Sequence, residues 1–221
     1  MTHPPFDQLF KGTCVLVEEC NPSALENPED HLLPEERKQI VRAVEKRRLE
    51  FAASRLLARR VLQRMGRPPA EITSSKSRAP IWPQGVVGSI THTRNFVAVA
   101  LAEASDVRSV GIDAEERRPI KENLWKRICS ESELRELERD KANMAERVGL
   151  FFSAKEAFYK AQFPITETFL GFHDVEVHLD QGHFEIEMLT DASDVFIAGA
   201  RFSGTYQKAD TVWASAVILA N

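Results

Sequence analysis

Gly111-Ile112-Asp113-Ala114-Glu115 closes an apolar run that begins at Arg108, and about forty residues on the chain reads Phe152-Ser153-Ala154-Lys155-Glu156-Ala157-Phe158-Tyr159-Lys160. The first stretch is the pattern of a strand, and extended geometry turns its two carboxylates, two residues apart, to one side. The second is the pattern of a helix. Phe151, Ala154, Phe158 and Ala161 recur at three- and four-residue spacing, while Glu156 and Lys160 fall one turn apart on a different face. A strand end packed on such a helix would gather Asp113, Glu115 and Glu156 with one ammonium. That all-oxygen set suits a hard cation and a phosphate, as Mg²⁺-assisted phosphoryl chemistry requires. Read singly, an Asp-x-Glu after a strand is a solvated turn and a Lys-Glu in a helix is surface; their joint occurrence carries the weight.

Working outward from these stretches, Val86–Thr91 and Phe96–Ala102 read as strands joined through Thr93-Arg94-Asn95, a hairpin-length loop. Upstream lie an apolar run in residues 12–19, a Pro- and Asp-rich loop, one long helical pattern over about 35–65 ended by Gly66, and a turn-rich connector over 70–85. Downstream, a helical segment near Leu124–Ile128 precedes Ser130 and Glu133 at capping-box spacing. Asn143 and Glu146 repeat that spacing at the head of the second motif's helix, which Pro164 is expected to end. Four alternating runs follow, the third placed at Val195–Phe202, and read as an antiparallel meander. The order predicts an α+β protein of two pseudo-symmetric halves, residues 1–105 and 106–221. Each is a small antiparallel sheet packed with a long helix, with the active site at their interface.

Composition narrows the function. The chain has 221 residues, 43% hydrophobic and 28% charged, with net charge −4. An acidic balance argues against nucleic-acid binding, and no apolar run is long enough to span a membrane. Charge is uneven, however: Glu35 to Arg67 holds eleven Lys and Arg against four Glu, a surface for an anionic ligand or acidic partner, or simply a solvated helix face. Three widely spaced cysteines indicate neither a disulfide framework nor a zinc site, which fits a reducing cytoplasm.

His92, among Ser89, Thr91 and Thr93 at a strand end, is by itself a structural histidine; beside a phosphate site it becomes a phosphate donor with Thr91 and Ser89 as helpers. Arg78, just upstream, offers a guanidinium fork. Gly-Ile-Asp-x-Glu followed by Phe-Ser-x-Lys-Glu-Ala-x-x-Lys resembles the two signature motifs of the surfactin-type 4′-phosphopantetheinyl transferases. The resemblance extends through Phe51–Arg59, Arg78–Pro83 and Gly88–His92, looks most like the enterobactin-synthase subgroup, and covers about residues 35–165. Ser54 stands where that subgroup usually has Gly, and Phe152 where many relatives have Trp.

The resemblance implies transfer of the 4′-phosphopantetheine arm of coenzyme A to a serine of an apo acyl, peptidyl or aryl carrier protein, with release of adenosine 3′,5′-bisphosphate. It implies that Asp113, Glu115 and Glu156 hold Mg²⁺ against the pyrophosphate. Glu156 would deprotonate the serine, directly or through a metal-bound water, and Lys160 would steady the bridging or α-phosphate oxygen. Arg48, Arg55, Arg78, Thr91 and His92 are the expected contacts to the 3′-phosphate and adenine, with Arg47 able to replace Arg48; Lys155 would touch phosphate or anchor Glu156. Arg117 to Trp125 is the expected carrier-docking segment, and a monomer suffices. Two other readings fit the same residues: a different Mg²⁺-dependent phosphotransferase or phosphohydrolase, and a non-catalytic coenzyme A or carrier-binding module.

Overall fold

The computed structural model describes residues 4–139 and 143–221. A three-stranded antiparallel sheet takes β1 (Leu16–Cys20), β3 (Phe96–Glu103) and β2 (Val86–Thr93) in that order. A five-stranded one takes β4 (Ser109–Glu116), β8 (Val212–Leu219), β7 (Arg201–Lys208), β6 (His183–Met188) and β5 (Val175–Asp180). The sheets part between Glu103 and Ser109, and each packs against one long helix: α3 (Glu45–Arg64) on the first, α6 (Met144–Thr166) on the second. Short helices α1 (Pro5–Leu9), α2 (Pro34–Ile40), α4 (Glu122–Ile128) and α5 (Glu131–Arg139), with 3-10 turns at Pro22–Ala24 and Pro28–His31, complete the described elements. The α+β reading with two helix-backed antiparallel sheets is what is found, although the sheets differ in size. Among the described residues no helix is long and apolar enough to cross a membrane.

Strand β3 shows how the layers are built. Its alternation sends Val97, Val99 and Leu101 to a core under α3, with Leu57 and Val61, and sends Ala98, Ala100 and Ala102 to a second core. In that second core the alanines meet Val110, Ile112 and Ala114 of β4 and Ala214 and Ala216 of β8, closed over by Phe6 and Phe10. Small side chains on facing strands let the two sheets approach closely.

The sheets also meet edge to edge. Ser89 and Thr91 of β2 accept, through Oγ and Oγ1, the backbone N–H groups of Ile112 (3.1 Å) and Ala114 (3.0 Å) of β4. Two hydroxyls thus take the place of a strand's carbonyls along the seam, and satisfy donors that burial would otherwise strand.

Four expectations are corrected. The long helix over 35–65 is two helices, because the buried Glu36 carboxylate accepts from Leu33 N (2.9 Å), Ile72 N (2.9 Å) and Arg59 Nη1 (2.8 Å). These bonds fold α2 back on α3 and force a turn at 41–44. The first strand starts at Leu16, since Gly12 at φ +80° and a turn from Thr13 N to Phe10 O occupy the residues before it. Residues 195–200 are loop, with Phe196 buried and Gly199 turning the chain at φ +85°, so β7 begins only at Arg201. Helix α6 runs past Pro164 to Thr166 and stops where Glu167 turns left-handed. By contrast, the Ser130–Glu133 capping box forms as read, with Ser130 N to Glu133 Oε2 at 2.7 Å and Glu133 N to Ser130 Oγ at 3.1 Å. At the head of α6, Asn143 is the N-cap residue, but Glu146 turns instead to Arg117 and Lys208.

Gly111 fixes how close α6 lies to β4. A Cβ there would stand 1.9 Å from Ala157 O and 2.6 Å from Ala161 N, both backbone atoms of the helix. Gly111→Ala is expected to destabilise the fold by about 3 kcal/mol, read from the shift in urea midpoint.

Candidate active site

The strand β4 and helix α6 bring the two motifs together. Asp113 is 3% exposed; its Oδ1 accepts from Lys160 Nζ at 2.7 Å, and its buried Oδ2 has no hydrogen-bond partner among the described residues. Burial first, and the Asp113 charge second, push the Glu115 carboxyl up to about 7, with Lys160 pulling the other way. Burial and Asp113 raise Glu156 as well. Three carboxylates therefore crowd one ammonium, and one buried oxygen goes unsatisfied. As placed, no three His, Cys, Asp or Glu among the described residues form a group that could hold a metal ion, and Lys160 occupies Asp113 Oδ1. The orphaned Oδ2 and the raised carboxyls are nevertheless the chemistry of an oxygen donor set short of positive charge, and Mg²⁺ fits it.

Glu156 and Lys160 form part of the wall of a cleft of about 1170 Å³. Across it stand Arg47, Arg55, Lys76, Arg78 and His92 from α3, the 70s connector and β2. Arg55 is 5% exposed and held in place: Nε donates to Ile72 O (2.9 Å), Nη1 to Ser54 Oγ (3.1 Å) and Nη2 to Ser74 Oγ (2.9 Å), with Phe51 stacked 3.8 Å away. Burial lowers its pKa to about 10, so it stays cationic at neutral pH. Ser54, unusual for the resembled subgroup, here becomes a partner of the arginine. Arg78 sits at φ +69° in a tight turn, and its guanidinium has no partner among the described residues. The third wall is apolar, with Tyr159, Phe163, Leu170 and Phe172, and Phe169 stands 77% exposed.

Three expected contacts are placed elsewhere. Arg48 turns from the cleft to Glu29, at 2.5 Å, and Arg47 takes the wall position; neighbours on a helix point about 100° apart. Thr91 is 3% exposed and its hydroxyl is spent on the seam, 3.5 Å from both Asp113 Oδ1 and Lys160 Nζ. Lys155 is fully buried, and its three N–H groups donate to Ile128 O (2.9 Å), Glu133 Oε2 (2.8 Å) and Phe172 O (2.7 Å). With every donor used it is a structural brace, not a phosphate contact. Sequence reasoning had missed Glu50 and Lys76. A lone glutamate among Lys46, Arg47, Arg48 and Arg55 was the available signal for the first; nothing marked the second.

Comparison with known proteins follows the same division. Residues 35–102 match the family model "4′-phosphopantetheinyl transferase N-terminal domain", and residues 109–210 match "4′-phosphopantetheinyl transferase superfamily". The chain is 38% identical over 189 residues to 4′-phosphopantetheinyl transferase Svp of Streptomyces mobaraensis, covering 82% of this chain and 74% of that protein. It is 42% identical to Npt of Nocardia iowensis (74% and 71% covered) and 37% identical to PptT of Mycobacterium tuberculosis (73% and 74%), both 4′-phosphopantetheinyl transferases.

Proposed function

The chain belongs to the 4′-phosphopantetheinyl transferase superfamily, and from that premise we propose that it moves the 4′-phosphopantetheine arm of coenzyme A onto a serine of an apo acyl, peptidyl or aryl carrier protein. Adenosine 3′,5′-bisphosphate is the second product. The observation that carries the reading is a cleft between opposite charges: Glu156 on one wall, backed by the undercompensated Asp113 and Glu115, and guanidinium groups with free donors on the other. A ligand with a pyrophosphate, a separate phosphate and a neutral arm matches that layout, the arm lying against Tyr159, Phe163 and Phe172.

Residues 1–105 supply the cationic wall and 106–221 the carboxylates, a division that the break between the sheets supports. Within the family we place the chain with the surfactin-type enzymes on the two motifs quoted above. Asp113, Glu115 and Glu156 would hold Mg²⁺, which when bound neutralises pyrophosphate charge. Arg47, Arg55, Arg78 and His92 orient the nucleotide phosphates. The serine oxygen attacks the β-phosphorus, the bond from that phosphorus to the bridging oxygen breaks, and the bisphosphate leaves. Glu156, made more basic than an ordinary carboxylate by burial and by the Asp113 charge, takes the serine proton directly or through one water, while Lys160 donates to the oxygen that gains charge. Carrier docking is assigned to the Arg117–Trp125 segment, where Arg118 is 70% exposed at its side chain.

The test is intact-mass analysis of apo carriers incubated with the protein, coenzyme A and Mg²⁺, with Glu156→Gln as control. A gain of one phosphopantetheine that the substitution removes supports the proposal; nucleotide release without any carrier points to a hydrolase instead.

Proton competition gives a second check. Because the folded pKa of Glu115 is raised from 4.5 to about 7, the carboxyl keeps its proton below that pH and a cation must displace it. Apparent Mg²⁺ affinity, measured calorimetrically, is expected to fall about tenfold per pH unit below about 7 and to level off above it. The same sign means that the metal-free fold loses stability as pH rises from 4.5 to about 7.

A further inference from the structure

Glu50 lies inside the most basic stretch of the chain, yet its side chain is only 7% exposed. Its Oε2 is 3.5 Å from His92 Nδ1 and its Oε1 is 3.5 Å from Lys46 Nζ. On the other side of the imidazole, Arg47 Nη1 is 2.9 Å from Nε2. A guanidinium only donates, so Nε2 is the acceptor, and a neutral ring carries its proton on Nδ1, facing Glu50. In that state His92 offers an arriving anion a lone pair, and one donor of Arg47 is occupied.

A phosphate docking between Arg47 and His92 needs an N–H at Nε2. Moving the existing proton across the ring would turn the bare Nδ1 lone pair toward a buried carboxylate. Adding a second proton instead leaves Nδ1–H on Glu50 and gives Nε2–H to the phosphate, and the Glu50 charge favours this route. We infer that Glu50 is a positioning residue which makes His92 receive a phosphate of coenzyme A as an imidazolium, so that binding takes up a proton from solvent and frees Arg47 for the same phosphate. The inference rests on reading the cleft as a coenzyme A site. The proton goes from solvent to Nε2 on binding and back to solvent when the nucleotide leaves. Burial, aided by Arg47, Lys160 and Lys46 and opposed by Glu50, keeps the free ring below the ordinary histidine range, so the proton arrives with the ligand.

The measurement is calorimetric titration of coenzyme A into the whole protein at pH 7.5, in buffers of different ionisation enthalpy, which counts protons exchanged. The wild type is expected to take up about 0.5–1 proton, and Glu50→Gln and His92→Gln less than about 0.2. Affinity of Glu50→Gln is expected to drop about tenfold at pH 8, with the gap narrowing toward pH 6. Phosphate held by guanidinium groups alone would release protons, the opposite sign. Loss of uptake with 3′-dephospho-coenzyme A assigns the event to the 3′-phosphate, and retention to the pyrophosphate; either outcome supports the role of Glu50. Uptake unchanged in Glu50→Gln, or no uptake by a wild type that binds coenzyme A, overturns the inference alone. A wild type that does not bind coenzyme A overturns the reading of the cleft and the inference with it.

Discussion

Asp113→Asn is expected to lower kcat/KM for carrier modification by about 10²–10³-fold while leaving stability within about 1 kcal/mol of wild type. The two effects separate because Asp113 is a poor stabiliser. It gains a bond from Lys160, which is 31% exposed, and a long one from Thr91 at 3.5 Å, and in return buries an oxygen with no partner among the described residues beside two other carboxylates. Asparagine keeps the volume and removes the charge, so Glu115 should titrate below about 7, while burial still holds it above the ordinary carboxylate value of 4.5. Steady-state kinetics, urea denaturation and an NMR titration of Glu115 check the three parts. Loss of stability on the scale of the lost activity would mean that Asp113 is a structural residue.

The other large effect is on folding. Lys155→Met is expected to cost about 3–5 kcal/mol, because it leaves the Glu133 carboxylate charged and without its cation in a fully buried site. In a chain of 221 residues that corresponds to a fall in Tm of about 10 °C. Glu133 also accepts from Ser130 N and Val177 N at 2.7 Å each, so α5, α6 and β5 all meet at this one pair. Adding Glu133→Gln should recover part of the loss, since the uncompensated charge is then gone. At a temperature where Lys155→Met is folded, its KM for coenzyme A should be near wild type; a large rise would return Lys155 to the ligand.

The placement of Lys155 was present in the sequence. It stands four residues after Phe151 and three before Phe158, on the apolar stripe of α6, whereas Glu156 and Lys160 share the face toward the cleft. Reading both members of the Lys-Glu dipeptide as functional set motif spacing above helix geometry. What was legible came from short-range rules: the β2–β3 hairpin, the strand that delivers Asp113 and Glu115, and the Ser130–Glu133 cap. What was not legible depended on distant partners. Glu36 breaks a continuous helical pattern by reaching Ile72, and the choice of Arg47 over Arg48 is set by the rotation of α3 on its sheet and by Glu29. Ser89 and Thr91 read as helpers of His92 because nothing local tells a hydroxyl aimed at a ligand from one aimed at a neighbouring strand's backbone.

The seam between the sheets also governs self-association. An open sheet edge is a template on which another chain can add a strand, and two sheets in one molecule have four edges. The hydroxyls of Ser89 and Thr91 turn two of those edges, β2 and β4, against each other. Of the outer two, β1 has its Val17 carbonyl taken by Arg64 at 2.7 Å, and β5 has its Val177 N–H taken by Glu133. The side chains that set the geometry of the cleft and brace α6 therefore also blunt intermolecular pairing, and substitutions at Ser89, Thr91 or Glu133 put solubility at risk together with catalysis.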